Sequence, residues 1–376
     1  MGVFIPKHRF QLKNHLLSGI CFGELVKVLY QFRKEIDFLY YLHRIVFLLS
    51  FSLFNSFVGF AEDLIYRKRV ESTKLHPKVV FILGHPRTGT THVHNLLSLD
   101  KSFAYANTFE CGFPSTFLLL ERFSWLLKPM IDKTRPMDGM ALRFTLPQED
   151  EVATNQLCAF SPYLQIAVMT KFSTFRPWFE FNEEDCPPDE KRRWQTSFLF
   201  FLRKVQYKHG YKPLVIKSPV HTARIPLLLE MFPQAKFVYC HRNPYEVFQS
   251  ACHMADTYYW FCYLNRVKEE DIMNFIVEQY KLLYSAYTRD RKLLDDSSLF
   301  EVPFELLDRD PRRVIRGLYH QLNLPGYDAM RLAMDDYLST EIKGFKKNAH
   351  KSLSRDMKDL VRREWKESFA TFGYDL

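Results

Sequence analysis

The chain has 376 residues, 47% of them hydrophobic and 25% charged, with a formal net charge of +9 at pH 7. These values exclude a disordered or fibrous chain and allow one large α/β domain with additions, or two modest domains. The basic balance suits an anionic ligand, an anionic membrane surface or nucleic acid, and by itself chooses none of them.

In chain order, the N-terminal MGVFIPKHRFQLKNHLL is basic but lacks an apolar core followed by small residues, so no cleavable signal is expected. Pro6 stands where a myristoylation motif needs Ser or Thr. Ile45 to Ala61 then gives seventeen residues without a charge. That length is at the lower limit for crossing a bilayer, and a buried or interfacial helix fits it as well as a span does. Basic residues on both flanks leave an orientation unread. We therefore expect residues 1–72 to be an N-terminal helical extension, with membrane association through residues 45–61 as one reading. Residues 73–376 are expected to form the main domain, its boundary falling near Ser72 to Pro77. Location is left open between cytoplasm, a membrane surface and the Golgi lumen. The 7 cysteines are scattered, without a CxxC pair or zinc-like Cys/His spacing, so no structural metal is expected.

From Lys78 onward apolar runs alternate with helical patterns. KVVFIL (Lys78 to Leu83) reads as a strand and TTHVHNLLSL as the helix behind it. Glu110, in NTFECGFP, is expected at the end of the next strand. Gln148-Glu149-Asp150-Glu151 after Pro147 fits a helix start with acids in its first turn, and bordering an acceptor site is the other reading. Phe160 to Tyr211 is dense in aromatics; it is either the wall or lid of an acceptor site or a helical insertion burying its own rings. LVIKS (Leu214 to Ser218), KFVYCH (Lys236 to His241) and LFEVPF near Phe300 read as further strands, each followed by a helical pattern, the last starting around Asp310 and Pro311. Strands alternating with helices predict an α/β fold of three layers, P-loop-like, with a central parallel sheet flanked by helices. Ligands in such folds bind beyond the carboxyl ends of the strands.

Two motifs fall at those ends. In Gly84-His85-Pro86-Arg87-Thr88-Gly89-Thr90-Thr91 the glycines keep the spacing of a phosphate-binding loop, and Thr88, Thr90 and Thr91 add hydroxyl donors. The lysine that reaches the β- and γ-phosphates in GxxxxGK[ST] is replaced by Thr90, so a shorter phosphate chain is expected, with Arg87 as the nearby cation. The second motif, His241 to Ser250, turns at Asn243-Pro244 into a helix. Arg242 and Ser250 there suit a separate phosphate, which implies a nucleotide phosphorylated in two places.

GHPRTGTT with RNPYEVFQS downstream resembles the sulfotransferases that use 3′-phosphoadenosine 5′-phosphosulfate (PAPS). The PRTGTT form, the KSPVH run and FPQAKFVYCHRNP are more similar to the tyrosyl-protein and bacterial-type enzymes than to the cytosolic steroid and phenol group. The resemblance covers roughly Lys78 to Pro311. It implies that Arg87, Thr88, Gly89, Thr90 and Thr91 hold the 5′-phosphosulfate and that Arg242 and Ser250 hold the 3′-phosphate, leaving 3′,5′-bisphosphoadenosine as product. It also implies a basic C-terminal segment closing over the 3′-phosphate, for which Lys343 to Lys351, and Lys351 in particular, is the candidate, although the RKGxxGDW form is absent.

Sulfuryl transfer needs cations on the sulfate and the leaving phosphate, and a base for the acceptor proton. Arg87 and Lys217 are the expected cations. Glu110 is the preferred base on the family resemblance, and His221, in KSPVH, the alternative. No metal is called for. The aromatic insertion and the apolar N-terminal segment point to a hydrophobic alcohol such as a sterol or lipid as acceptor, with carbohydrate or protein tyrosine as the alternative. From another class, a P-loop nucleotide kinase would need a lysine after the second glycine and an Asp for Mg²⁺. No nucleic-acid-binding motif is visible, and the oligomeric state is unread.

Overall fold

The computed structural model describes residues 7–342 and 352–376. Its contacts divide the chain into two compact units, each discontinuous in sequence. One comprises residues 1–75, 106–211 and 254–275; the other comprises 76–105, 212–253 and 276–376.

The second unit carries the sheet. Four strands, β1 (Val79–Gly84), β2 (Leu214–Lys217), β3 (Lys236–His241) and β4 (Leu299–Pro303), lie in the order β2-β1-β3-β4 and are parallel throughout. Every residue of β1 and β2 is buried, as continuous apolar runs covered on both faces require. Val80, Ile82, Val215, Val238 and Val302 share one core with apolar residues of the flanking helices. β1 leads to β2 on one side, whereas β3 leads to β4 on the other, so the connections diverge beyond the carboxyl ends of β1 and β3. Such a divergence opens the crevice in which doubly wound sheets take ligands.

The first unit is helical. Helices α1 (Phe22–Gln31) and α2 (Leu42–Glu71) pack together and with later helices of the same unit. Among those is Pro188–His209, which begins on prolines and acids and ends at Gly210, as helix-end chemistry favours. Phe175, Phe179, Phe181, Trp194, Phe198 and Phe201 are almost completely buried, with Trp194 stacked on Phe198 at 5.0 Å. The aromatic insertion thus packs its rings around one another. The acidic run starts a helix, Asp150–Cys158, as its first-turn acids predict.

The strand expected to end at Glu110 does not form. Ala104 makes one isolated bridge to Leu214, and Glu110 lies in a short helix, Thr108–Gly112. The Asn107 side chain accepts from the Glu110 amide at 2.9 Å while Glu110 Oε2 accepts from the Asn107 amide at 2.9 Å, a capping box that commits these amides to a helix start.

Candidate functional site

The loop between β1 and helix α3 (Thr90–Leu97) has the backbone geometry of an anion cradle. Gly84 and Gly89 adopt φ of +132° and +95°. A Cβ on Gly84 would run into the Cys240 carbonyl oxygen of β3, and one on Gly89 would stand 2.6 Å from Cδ2 of Phe304. Arg87 also has a positive φ, +78°, a conformation that costs a non-glycine residue about 1 kcal/mol and recurs at ligand sites. Thr88 is tied inward, its hydroxyl donating to the His85 carbonyl at 2.8 Å. The opening amides of α3 have no intrahelical acceptor by construction and carry the positive end of its dipole. Thr90 is buried and Thr91 accepts from Lys217 Nζ at 3.4 Å, which places the ammonium at the end of β2 beside the start of α3.

The second motif converges on this loop. Arg87 Nε donates to Ser250 Oγ at 3.0 Å, and an Arg242 guanidinium nitrogen donates to the Arg87 carbonyl at 3.4 Å. Arg87, Arg242 and Ser250, expected to serve two separate phosphates, are therefore joined in one hydrogen-bonded group. The Arg242 guanidinium stacks 4.2 Å over Phe304 and bonds to Glu246 through Nε at 2.8 Å and a terminal nitrogen at 2.5 Å. Glu246 is exposed, and an exposed i,i+4 ion pair of this kind is worth at most about 1 kcal/mol, so a phosphate can take the guanidinium from it. Behind the motif, Asn243 donates its amide to Glu305, the Tyr374 hydroxyl donates to the same carboxylate, and His241 meets that hydroxyl at 2.9 Å. The Cγ-linked ring of His241 stacks on Phe372 at 4.3 Å, and its pKa is lowered to about 4 by burial. The C-terminal helix Lys366–Phe372 thereby braces the second motif. Lys351 lies outside the described residues.

His221 sits in the turn Pro219–Ala223 after β2, fully buried, with Phe81 edge-on to its ring at 5.8 Å. Next to it, the Thr222 hydroxyl accepts from the Gly84 amide at 2.8 Å and locks that turn to the end of β1. Glu110 belongs to the other unit. It is fully buried, and its Oε1 takes hydrogen bonds from His209 Nε2 and Lys208 Nζ, each at 2.6 Å. Burial pushes its carboxyl pKa up, but the His209 hydrogen bond and the His209 and Lys208 charges outweigh that and hold it below the ordinary value. Glu149 and Glu151 are engaged within the same unit, the first by the Tyr163 hydroxyl and the second by Ser161 Oγ at 2.6 Å.

Sequence reasoning missed Glu246, Phe304 and Thr222. The i,i+4 spacing of Arg242 and Glu246 was a readable signal. Nothing local announces Phe304 or Thr222, because each acts on a loop far away in the chain.

The profile described as "Sulfotransferase family" matches residues 77–329. The omega-hydroxy-beta-dihydromenaquinone-9 sulfotransferases Stf3 of Mycobacterium tuberculosis and Mycobacterium bovis are each 32% identical over 324 residues, covering 86% of this chain and 82% of theirs. Among solved structures, sulfotransferase STF1 from Mycobacterium tuberculosis H37Rv has a TM-score of 0.65 at 16% identity, covering 92% of this chain and 91% of its own. Sulfotransferase STF9 from Mycobacterium avium has a TM-score of 0.64 at 19% identity, covering 85% and 82%.

Proposed function

The chain belongs to the sulfotransferase family, and from that premise we propose that it moves a sulfuryl group from PAPS to the hydroxyl of a hydrophobic, lipid-like alcohol. The observation that carries the donor is the hydrogen-bonded group Arg87–Ser250–Arg242 beside a glycine-threonine loop that has no lysine after its second glycine. Such a loop suits a single phosphate bearing a sulfate, and the paired arginines suit the second phosphate of the same nucleotide. The residues fit the donor: Gly84 and Gly89 take the positive φ values that let the loop turn around an anion, and the exposed Glu246 carboxylate on the Arg242 fork can yield to a phosphate.

PAPS supplies the group that moves: the acceptor oxygen forms a bond to sulfur, the bond from sulfur to the 5′-phosphate oxygen breaks, and 3′,5′-bisphosphoadenosine leaves. Thr88, Gly89, Thr90 and Thr91 hold the 5′ end through backbone amides and hydroxyls. Lys217, at the end of β2 and bonded to Thr91, neutralises charge that builds on the leaving phosphate. Arg87 is oriented by Ser250, and Arg242 fixes the 3′ end. His221 follows Lys217 by four residues in a turn locked to β1 through Thr222, and we assign it the acceptor proton. Glu110, with Oε1 shared by two cationic partners and Oε2 in a capping box, is assigned a structural role. The lipid-like acceptor is favoured by the acceptor named for Stf3, at 32% identity over most of both chains.

Incubation with radiolabelled PAPS and separated lipid, glycan and protein extracts tests the acceptor; label confined to glycan or protein would overturn it. Calorimetry with 3′,5′-bisphosphoadenosine against ATP tests the donor, and tighter binding of ATP would sink it.

A further inference from the structure

Helix α2 is built inside out. Its buried stripe holds Arg44, Ser52, Asn55 and Glu62, while its outward stripe holds large apolar side chains: Phe57 is 74% exposed, Leu64 73% and Phe60 65%. A surface helix of a water-soluble protein has the opposite arrangement. Most of the hydrogen-bonding groups on that buried stripe are met by the same unit, Asn55 Oδ1 being the exception. The Arg44 guanidinium donates to the carbonyls of Tyr263 and His8 at 2.6 Å, Trp260 at 2.8 Å and Gln11 at 3.2 Å. Asn55 donates to the Ser18 carbonyl at 2.8 Å, and Glu62 pairs with buried Lys204 and accepts from the Leu119 amide at 2.9 Å.

We propose that the outward face of α2 seats the protein on an anionic lipid bilayer, with the helix lying along the surface rather than crossing it. By length and composition alone α2 could span, its apolar window having a mean hydropathy of 1.7. The clamps decide against that. Arg44 and Glu62 are eighteen positions apart, about 27 Å along the helix, and both are fastened to the unit. A spanning helix would have to release them and leave a guanidinium or a carboxylate in hydrocarbon, which lipid does not tolerate. Lying flat, α2 keeps every clamp and buries only its apolar face. Charge says which bilayer: residues 45–61 carry no charge, whereas exposed Arg33 and Lys34 precede the helix with exposed Glu35 beside them, and exposed Arg67, Lys68 and Arg69 end it, Arg67 being paired with Asp63 and Glu71. Basic residues flanking a large apolar face suit anionic headgroups above an acyl layer, and a protein partner would not need them at both ends. The inference rests on α2 and its partners, and is independent of the donor and acceptor readings.

Sedimentation of the full chain with vesicles tests it. The wild type should pellet with phosphatidylcholine vesicles containing phosphatidylglycerol, bind pure phosphatidylcholine more weakly, and be released by alkaline carbonate. Phe57→Asp with Leu64→Asp should reduce binding roughly tenfold or more, with the melting transition and 3′,5′-bisphosphoadenosine binding unchanged. Should that pair fail to fold, Phe57→Trp replaces one large apolar ring by another, and its added emission should be quenched by brominated phosphatidylcholine. Absence of wild-type binding to either vesicle, wild-type binding by the Asp pair, or no added quenching would overturn the proposal. Resistance to carbonate would overturn the flat orientation, and a wild-type dimer that the Asp pair turns into a monomer would assign the face to a second copy.

Discussion

Glu110→Gln separates two roles that the sequence left open for this residue. The substitution keeps size and shape, and the glutamine carbonyl can still accept from the Asn107 amide, so the helix cap survives. What it removes is the charge facing Lys208 and His209. Breaking a buried ion pair from one side costs about 3–5 kcal/mol, but these partners are a quarter or more exposed, and screening brings the expectation to about 2–3 kcal/mol. In a protein of this size that is a fall in Tm of about 3 °C, readable by calorimetry. The pH dependence has a definite sign. The folded carboxyl has a pKa below the ordinary 4.5, so its stabilisation is fully present above 4.5 and is lost as pH falls through the folded value. The Tm gap between variant and wild type should therefore be full at neutral pH and close in acid, while kcat at a permissive temperature stays within a few-fold. A variant with wild-type Tm and kcat reduced a thousandfold or more would refute the structural assignment and restore Glu110 as the base.

Three other outcomes follow from the same geometry. Gly89→Ala must hold a positive φ and meet Phe304, so it should lose about 2–3 kcal/mol of stability and bind 3′,5′-bisphosphoadenosine at least tenfold more weakly; calorimetry with wild-type affinity would contradict the cradle. Ser250→Ala deletes a hydroxyl at Arg87 and should weaken 3′,5′-bisphosphoadenosine by about 1 kcal/mol, roughly fivefold, while leaving adenosine 5′-phosphate within twofold; equal losses for both ligands would argue against a 3′-phosphate contact. Burial lowers the pKa of both His15 and His85 to about 3, the Arg44 charge adding to the effect at His15. Below about 6.5 the unfolded imidazoles bind protons that the folded ones refuse, so stability should fall by about 1.4 kcal/mol per pH unit for each. His85→Asn should make that slope shallower in Tm measured from pH 6.5 to 4.5, and a flat wild-type profile would count against the neutral histidines.

The residues that carried the family resemblance were legible because their signals are local. A short apolar run ending in glycine, with a helical pattern behind it, reads as a buried parallel strand, and GHPRTGTT fixes its own turn within eight positions. The same locality made Pro147 and the acids after it readable as a helix start. Glu110 shows the limit. Its place after the phosphate loop suggested the end of a next strand, although Asn107-Thr108-Phe109-Glu110 spelled a capping box, and the box prevailed because its hydrogen bonds form within four residues. The aromatic insertion had two readings of equal standing until Trp194, Phe198 and Phe181 were seen packed on each other.

By itself the sequence determined the parallel sheet, the two motifs at its strand ends and the family, since apolar runs and glycine spacing constrain the backbone over a few residues. Tertiary structure alone decided that Arg87 meets Ser250, 163 positions away, and that α2 turns its polar side inward. Both depend on which remote groups are present to take a guanidinium or a carboxylate out of water, and no local pattern carries that information.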